Sequence, residues 1–175
     1  MASVAEHLVH QLEGAGVRHI YGIVGDSLNP VVDAVRRSKK IRWIHVRHEE
    51  TAAFAAAAEA EITGQLAVCA GSCGPGNLHL INGLYDANRS HLPVLAIASH
   101  IPTSQIGTGF FQETHPDRIF DECSVFSEMI SSSEQVPRVT RSAIQQALSN
   151  HGVAVLTLPG DIADMEVSLS LIHIS

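Results

Sequence analysis

The sequence predicts an α/β fold in three layers, a mostly parallel sheet with helices on both faces. Three observations predict it. Short apolar runs of strand length, such as residues 66–70 and 153–158, lack the polar/apolar alternation of a half-exposed strand, so both of their faces must be covered. These runs alternate with helical patterns, the rhythm of β-α-β units joined by right-handed crossovers. Glycine-rich or acidic turns follow several of the runs, at the carboxyl ends of strands where ligands collect in such sheets.

Each element has its own signal. Residues 4–15 place Val4, Ala5, Leu8, Val9 and Leu12 on one helical stripe, and Gly14 and Gly16 supply a stop. Residues 19–24 read as a short buried strand. Gly25-Asp26-Ser27 then turns into a helix over residues 29–37, with Pro30 in the first turn, where a missing amide donor is harmless. The basic run Arg36-Arg37-Ser38-Lys39-Lys40 suits the solvated carboxyl end of that helix. Residues 41–46 form the next strand. Residues 51–60 form an alanine-rich helix able to approach a sheet closely, and Gly64 ends that unit. A strand over 66–70, a helix over 77–90, a strand over 94–98, a helix over 138–150 between Pro137 and Gly152, and a strand over 153–158 complete the series. Residues 101–120 break the rhythm: long, polar and irregular, yet carrying Phe110, Phe111 and Phe120, they read as a folded binding loop.

Composition narrows the class. A chain of 175 residues makes one domain with a sizeable core, and 45% hydrophobic against 17% charged residues fits a soluble α/β protein. No run of about 20 apolar residues is present to span a bilayer. The net charge of -7 argues against a nucleic-acid surface, which needs clustered Lys and Arg to neutralise phosphates. Cys69, Cys73 and Cys123 are odd in number and show no metal-ligand spacing, which points to a reducing, cytoplasmic setting. The eleven histidines are scattered, and no metal site is predicted. The amino terminus lacks the pattern of a signal peptide. Residues 169–175 continue none of the rhythm and are expected to be a non-native tail on a truncated fragment.

Three turns carry chemistry. In Arg47-His48-Glu49-Glu50 an acid pair stands at a strand-to-helix turn, where it can serve a reaction or simply complement the helix dipole. The turn Gly71-Ser72-Cys73-Gly74-Pro75-Gly76 lacks the Lys-Ser/Thr of a P-loop and the spacing of a dinucleotide fingerprint. It suits a flat ring packed against the main chain. Gly25-Asp26-Ser27 is either a third wall of the same site or a turn with an aspartate helix cap. All three fall at strand ends and can converge.

Four segments in one order, Tyr21-Gly22-Ile23-Val24-Gly25-Asp26-Ser27, Val46-Arg47-His48-Glu49-Glu50, Gly71 to His79 with Asn82-Gly83-Leu84-Tyr85-Asp86 after it, and Phe111-Gln112-Glu113-Thr114-His115, give residues 3–164 a resemblance. They resemble the amino-terminal, pyrimidine-binding domain of thiamine-diphosphate enzymes, most of all the pyruvate oxidase and pyruvate:quinone dehydrogenase branch. The resemblance implies that residues 1–164 are that domain, that residues 165–175 are a tail, and that the central and diphosphate-binding domains lie outside this chain. It implies that Glu49 hydrogen-bonds a pyrimidine ring nitrogen, so that the ring's amino nitrogen can take the thiazolium proton. That role asks for a carboxyl shielded from water. It further implies that Gly25, Asp26, Ser27, Gly74, Pro75, Gly76 and His79 line the cofactor, and that Phe111 and Gln112 shape the substrate pocket.

For an intact enzyme the resemblance implies thiamine diphosphate, Mg2+ and FAD, the last two bound mainly by the other domains. The partners are pyruvate and a quinone, and the enzyme is a homo-oligomer, dimer or tetramer, with an active site shared between subunits. Peripheral contact with the inner membrane is compatible with this. The fragment alone is expected to be inactive. The family's metal anchor, Gly-Asp-Gly with a later Asn, is not matched by Gly25-Asp26-Ser27 or Gly160-Asp161-Ile162. Acetolactate synthase, another 2-keto-acid decarboxylase, or a non-catalytic nucleotide-binding or interaction module are the alternatives.

Overall fold

Six strands form one sheet in the computed structural model, which describes residues 2–167. They are β1 (His19–Gly22), β2 (Arg42–His45), β3 (Ala67–Gly71), β4 (Val94–His100), β5 (Phe126–Met129) and β6 (Val153–Pro159). Their spatial order is β2-β1-β3-β4-β6-β5, and every pairing is parallel. The helices are α1 (Val4–Gly14), α2 (Asn29–Ser38), α3 (Glu49–Thr63), α4 (Pro75–Arg89), the short α5 (Pro116–Ile119), α6 (Val136–Asn150) and the short α7 (Gly160–Asp164). The predicted three-layer α/β class holds.

The period of two along the central strands sorts the core into two halves. Val68, Ala70, Leu95, Ile97, Ala154 and Leu156 face one side, under α1, α2 and α6. Ala67, Cys69, Val94, Ala96, Val153 and Val155 face the other, under α3 and α4. On that second side Ala52, Ala53, Ala56, Ala57 and Ala60 give α3 a smooth face, and α4 answers with Gly83. A Cβ added at Gly83 would lie 2.5 Å from the Ala53 Cβ, so the two helices meet closer than any larger pair allows. No helix of the described residues is long and apolar enough to cross a membrane.

Several boundaries shift for local reasons. α3 starts at Glu49 because the His48 side chain caps it, Nδ1 accepting from the Glu50 N–H at 3.3 Å. α4 starts at Pro75, an N1 proline, after Gly74 turns the chain at φ 70°. Ser3 and Glu6 close a reciprocal cap on α1. β5 was not anticipated, since its Ser127 and Glu128 break any apolar run and the strand lies at the sheet edge. The irregular stretch 101–120 includes α5 and a single 3-10 turn, Thr103–Gln105. Packing continues to residue 167: Val167 is fully buried, and Glu166 bridges Ser3 in antiparallel fashion. Residues 169–175, expected to be a non-native tail, lie outside the described residues.

The strand order reverses between β1 and β3. β1 runs out to β2 on one side, and the chain then crosses back to β3 and β4 on the other. Such a switch point opens a crevice at the carboxyl ends of the strands, and here it separates Gly25-Asp26-Ser27 from the turn beginning at Gly71.

Candidate active site

Of the two adjacent acids, the fold buries one. Glu49, the first residue of α3, is 8% exposed, whereas the Glu50 side chain points outward and bonds the Asn82 amide. Both lie in a first helical turn that favours negative charge, but only Glu49 is drawn into the crevice. Its Oε2 stands 3.0 Å from His79 Nδ1 on α4. Its Oε1 faces Gly76, where an added Cβ would lie 3.2 Å from it. Gly76 thus packs directly beside the carboxylate, with no room for a side chain between them.

His79 therefore reaches across to another helix and does not bond locally. Its ring also stacks on that of His48, with centroids 4.3 Å apart and planes at 24°. One ligand atom from each of His48, Glu49 and His79 lies within 4.8 Å of the other two. Helical spacing cannot reveal this cluster, because its members come from two elements brought together by the Gly83–Ala53 contact.

Gly25-Asp26-Ser27 divides its duties. A Cβ on Gly25 would come within 2.8 Å of the Ser72 Cβ, so the glycine answers a close approach across the crevice. Asp26 is exposed and makes no side-chain cap. The Ser27 hydroxyl turns inward, 3.0 Å from Ser72 Oγ and 2.5 Å from Ser99 Oγ, and accepts from the Cys73 N–H at 3.1 Å. It ties the ends of β1, β3 and β4 at one point. Asn77, fully buried, extends the tie by donating to the Ser99 carbonyl at 2.7 Å. Sequence reasoning missed Ser72, Ser99 and Asn77 as members of this site. The only available signal was position: Ser72 and Ser99 stand just past predicted strands, and Asn77 opens the helix predicted over 77–90.

The loop carrying Phe111 and Gln112 meets the glycine turn. A Cβ on Gly74 would lie 3.1 Å from the Gln112 backbone, and Cys73 Sγ donates to Gln112 Oε1 at 3.5 Å. Glu113 fixes the loop from below: its carboxylate accepts from the Gly107 N–H at 2.5 Å and the Gly109 N–H at 2.8 Å. These backbone donors, Gly107 foremost, hold its pKa below the ordinary carboxylate range. Phe111 is left 83% exposed.

The anticipated residues thus form two neighbouring groups. Glu49, Gly74, Pro75, Gly76 and His79 belong to the mouth between α3 and α4. Asp26, Ser27, Phe111 and Gln112 line a separate open cavity of about 910 Å³, which also takes in His100 and Asp161. The Ser27–Ser72 and Gln112–Cys73 contacts join the lining of this cavity to the glycine turn. Burial lowers the pKa of His100 and so favours its neutral ring. Asp161, from the Gly160-Asp161-Ile162 stretch, is occupied structurally, accepting from the Thr103 N–H and hydroxyl.

The family described as "Thiamine pyrophosphate enzyme, N-terminal TPP binding domain" matches residues 2–120. The chain is 62% identical over 160 residues to the "Uncharacterized 42.6 kDa protein in isoamylase 3'region" of Pseudomonas amyloderamosa, covering 91% of this chain and 40% of that protein. It is 41% identical over 156 residues to the pyruvate oxidase of Lactiplantibacillus plantarum, covering 89% of this chain and 26% of that enzyme. It is 35% identical over 159 residues to the large subunit of acetolactate synthase isozyme 1 of Escherichia coli, covering 90% and 28%. The chain spans between about a quarter and two fifths of the length of these relatives. A buried carboxylate at the start of α3, beside a glycine-rich turn, thus sits in a chain that belongs to the thiamine-pyrophosphate enzymes as their N-terminal, TPP-binding domain.

Proposed function

We propose that this domain serves a longer, flavin-linked enzyme that oxidatively decarboxylates pyruvate with a quinone as final acceptor. Pyruvate and water give acetate and carbon dioxide, and the two electrons and two protons released pass through flavin to the quinone. The observation that carries the reading is Glu49, buried at the start of α3 with one oxygen held by His79 and the other facing the main chain at Gly76. The 41% identity to a pyruvate oxidase supports the choice of branch.

The residues present fit the pyrimidine end of thiamine diphosphate. A planar ring needs main chain without side chains on one flank and a shielded hydrogen-bonding carboxyl at its edge, and Gly76 and Glu49 offer both. When bound, the cofactor supplies an acidic thiazolium carbon that adds to the keto group of the substrate. The chain's own residues do the rest of what is proposed here. Glu49 Oε1 shares a proton with the ring nitrogen, while His79 keeps Oε2 from turning away. Pro75 and Gly76, as the first residues of α4, hold the ring against the helix start. Gln112 already accepts from Cys73 through its oxygen, which leaves its amide nitrogen to donate to a substrate carboxylate or carbonyl. Phe111 supplies an apolar wall. Mg2+ and FAD belong, in this reading, to domains beyond this chain, and a homo-oligomer completes the active site from a second subunit.

Purified intact enzyme, supplied with pyruvate and a soluble quinone, should reduce the quinone while releasing acetate and carbon dioxide in equal amounts. Formation of acetolactate from two pyruvates, with no quinone reduced, would move the assignment to the acetolactate synthases. Unchanged turnover after Glu49→Gln would remove the catalytic reading altogether.

A further inference from the structure

The His48–Glu49–His79 cluster adds a second imidazole, that of His48, to the Glu49–His79 pair used above. Two imidazoles and one carboxylate, with space for a further ligand, are the protein ligands of open zinc sites. Imidazole nitrogen favours zinc, copper and nickel, whereas Mg2+ prefers oxygen and retains its waters. The three side chains are held from independent directions. His48 is fixed as the cap of α3 by an extended backbone with φ at -156°, Glu49 follows it on the same helix, and His79 arrives on α4.

A bound ion requires the rings of His48 and His79, stacked with centroids 4.3 Å apart, to turn so that one nitrogen of each faces Glu49. In a tetrahedral site with metal–ligand distances of about 2.0–2.2 Å, ligand atoms stand roughly 3.3–3.6 Å apart. The Glu49–His79 pair, at 3.0 Å, is about 0.3–0.6 Å tighter than that separation, and an ion would replace the proton between them. The cluster's widest ligand separation, within 4.8 Å, must close by about an ångström, given those ideal ligand spacings. Both imidazoles can turn to do so, since the side chains of His48 and His79 are 48% and 44% exposed.

We infer that His48, Glu49 and His79 form a binding site for a divalent transition ion, with Zn2+ the best match, and that this ion inhibits by excluding the pyrimidine ring. The exclusion rests on the proposed role of Glu49, because ion and ring then claim the same carboxylate. The ion site itself rests on the cluster alone.

The test uses the full chain without an affinity tag, titrated with Co2+ and read by its visible ligand-field absorption. One equivalent should bind with the intense bands of a four-coordinate site, and Zn2+ should abolish them while millimolar Mg2+ should not. His48→Gln, Glu49→Gln and His79→Gln should each weaken binding about tenfold or more, since loss even of outer-shell partners has an effect of that size. His10→Ala should change nothing. Circular dichroism of each variant confirms that it is folded. Co2+ binding of equal strength in the parent and in any folded variant of the three would overturn the site. Unphosphorylated thiamine, which carries the pyrimidine without a chelating diphosphate, is then added at ten times its separately measured dissociation constant. A roughly tenfold rise in the apparent Co2+ constant is expected. Loss of that competition, with the three-ligand spectrum intact, would overturn the exclusion and the Glu49 reading together while leaving the ion site standing.

Discussion

His79 Nδ1 and Glu49 Oε2 meet at 3.0 Å across 30 residues of sequence, and the contact separates two acids that are neighbours in the chain. Glu49 is held inside by a partner on another helix. Glu50 is left on the surface with Asn82. The same local sequence therefore yields one buried carboxyl paired with His79 and one outer carboxyl bonded to Asn82.

In the intact enzyme, Glu49→Gln should slow proton exchange at the thiazolium carbon by about two to four orders of magnitude, the range for losing general acid-base catalysis. Glu50→Gln should leave the exchange rate within a small factor of the parent. Exchange measured by proton NMR in deuterated buffer distinguishes them, and equal losses in both would overturn the assignment.

The Ser27 hydroxyl joins three strand ends, so its removal leaves the Cys73 N–H and the Ser99 hydroxyl each short of a partner. Ser27→Ala should lower unfolding free energy by about 1–3 kcal/mol, the cost of orphaning buried polar groups. Asp26→Ala, one residue away but exposed, should stay within about 0.5 kcal/mol of the parent. Urea melts of the two variants compare them directly.

Two glycines in helices should respond with opposite signs. Gly83→Ala drives a Cβ to 2.5 Å from the Ala53 Cβ, forcing α3 and α4 apart, and should destabilise the fold by about 1–3 kcal/mol as overpacking does. Gly14→Ala meets nothing within 4 Å at the end of α1 and should stabilise by about 0.4–1 kcal/mol through the unfolded chain. Thermal unfolding gives both signs in one experiment.

Glu113 supplies a pH dependence. Its pKa is lowered in the folded loop by the Gly107 and Gly109 amides, so its contribution is full above the ordinary carboxylate range and fades as pH falls through the lowered value. The amide resonances of Gly107 and Gly109 should shift together through that acid window. In Glu113→Gln they should stay flat, and a titration surviving in that variant would assign it to another group.

Replacing Gln112 by Ala should reduce turnover of a keto acid more than it reduces cofactor affinity, by the roughly 0.5–1.5 kcal/mol of one hydrogen bond. Turnover and fluorescence quenching by cofactor, measured on the same intact enzyme, separate the two effects. A large loss of affinity at unchanged turnover would place Gln112 against the cofactor.

The central sheet was legible because β3, β4 and β6 are apolar on both faces, a pattern that only a doubly covered strand produces. β5 was not, because Ser127 and Glu128 sit on an edge strand that the core covers only partly. At the site, Glu49 and the glycine turn stood out by residue type and by their place after strands. The inward turn of Ser27 and the stack of His48 on His79 depend on which neighbours the folded sheet supplies, and no local spacing encodes them.

The bridge between Ser3 and Glu166 gives the domain a further property. Val4 N donates to the Met165 carbonyl at 2.8 Å and Val167 N to the Ala2 carbonyl at 3.0 Å, so incoming and outgoing chain run side by side. The polypeptide traces a closed contour that leaves the domain where it enters. Tension applied through neighbouring segments would open this bridge one bond at a time, like a zipper, before any force reached the sheet. A short peptide joining residues 2 and 167, with a cut placed in a distant surface turn, should preserve the crevice, because nothing in its construction depends on where the contour is opened.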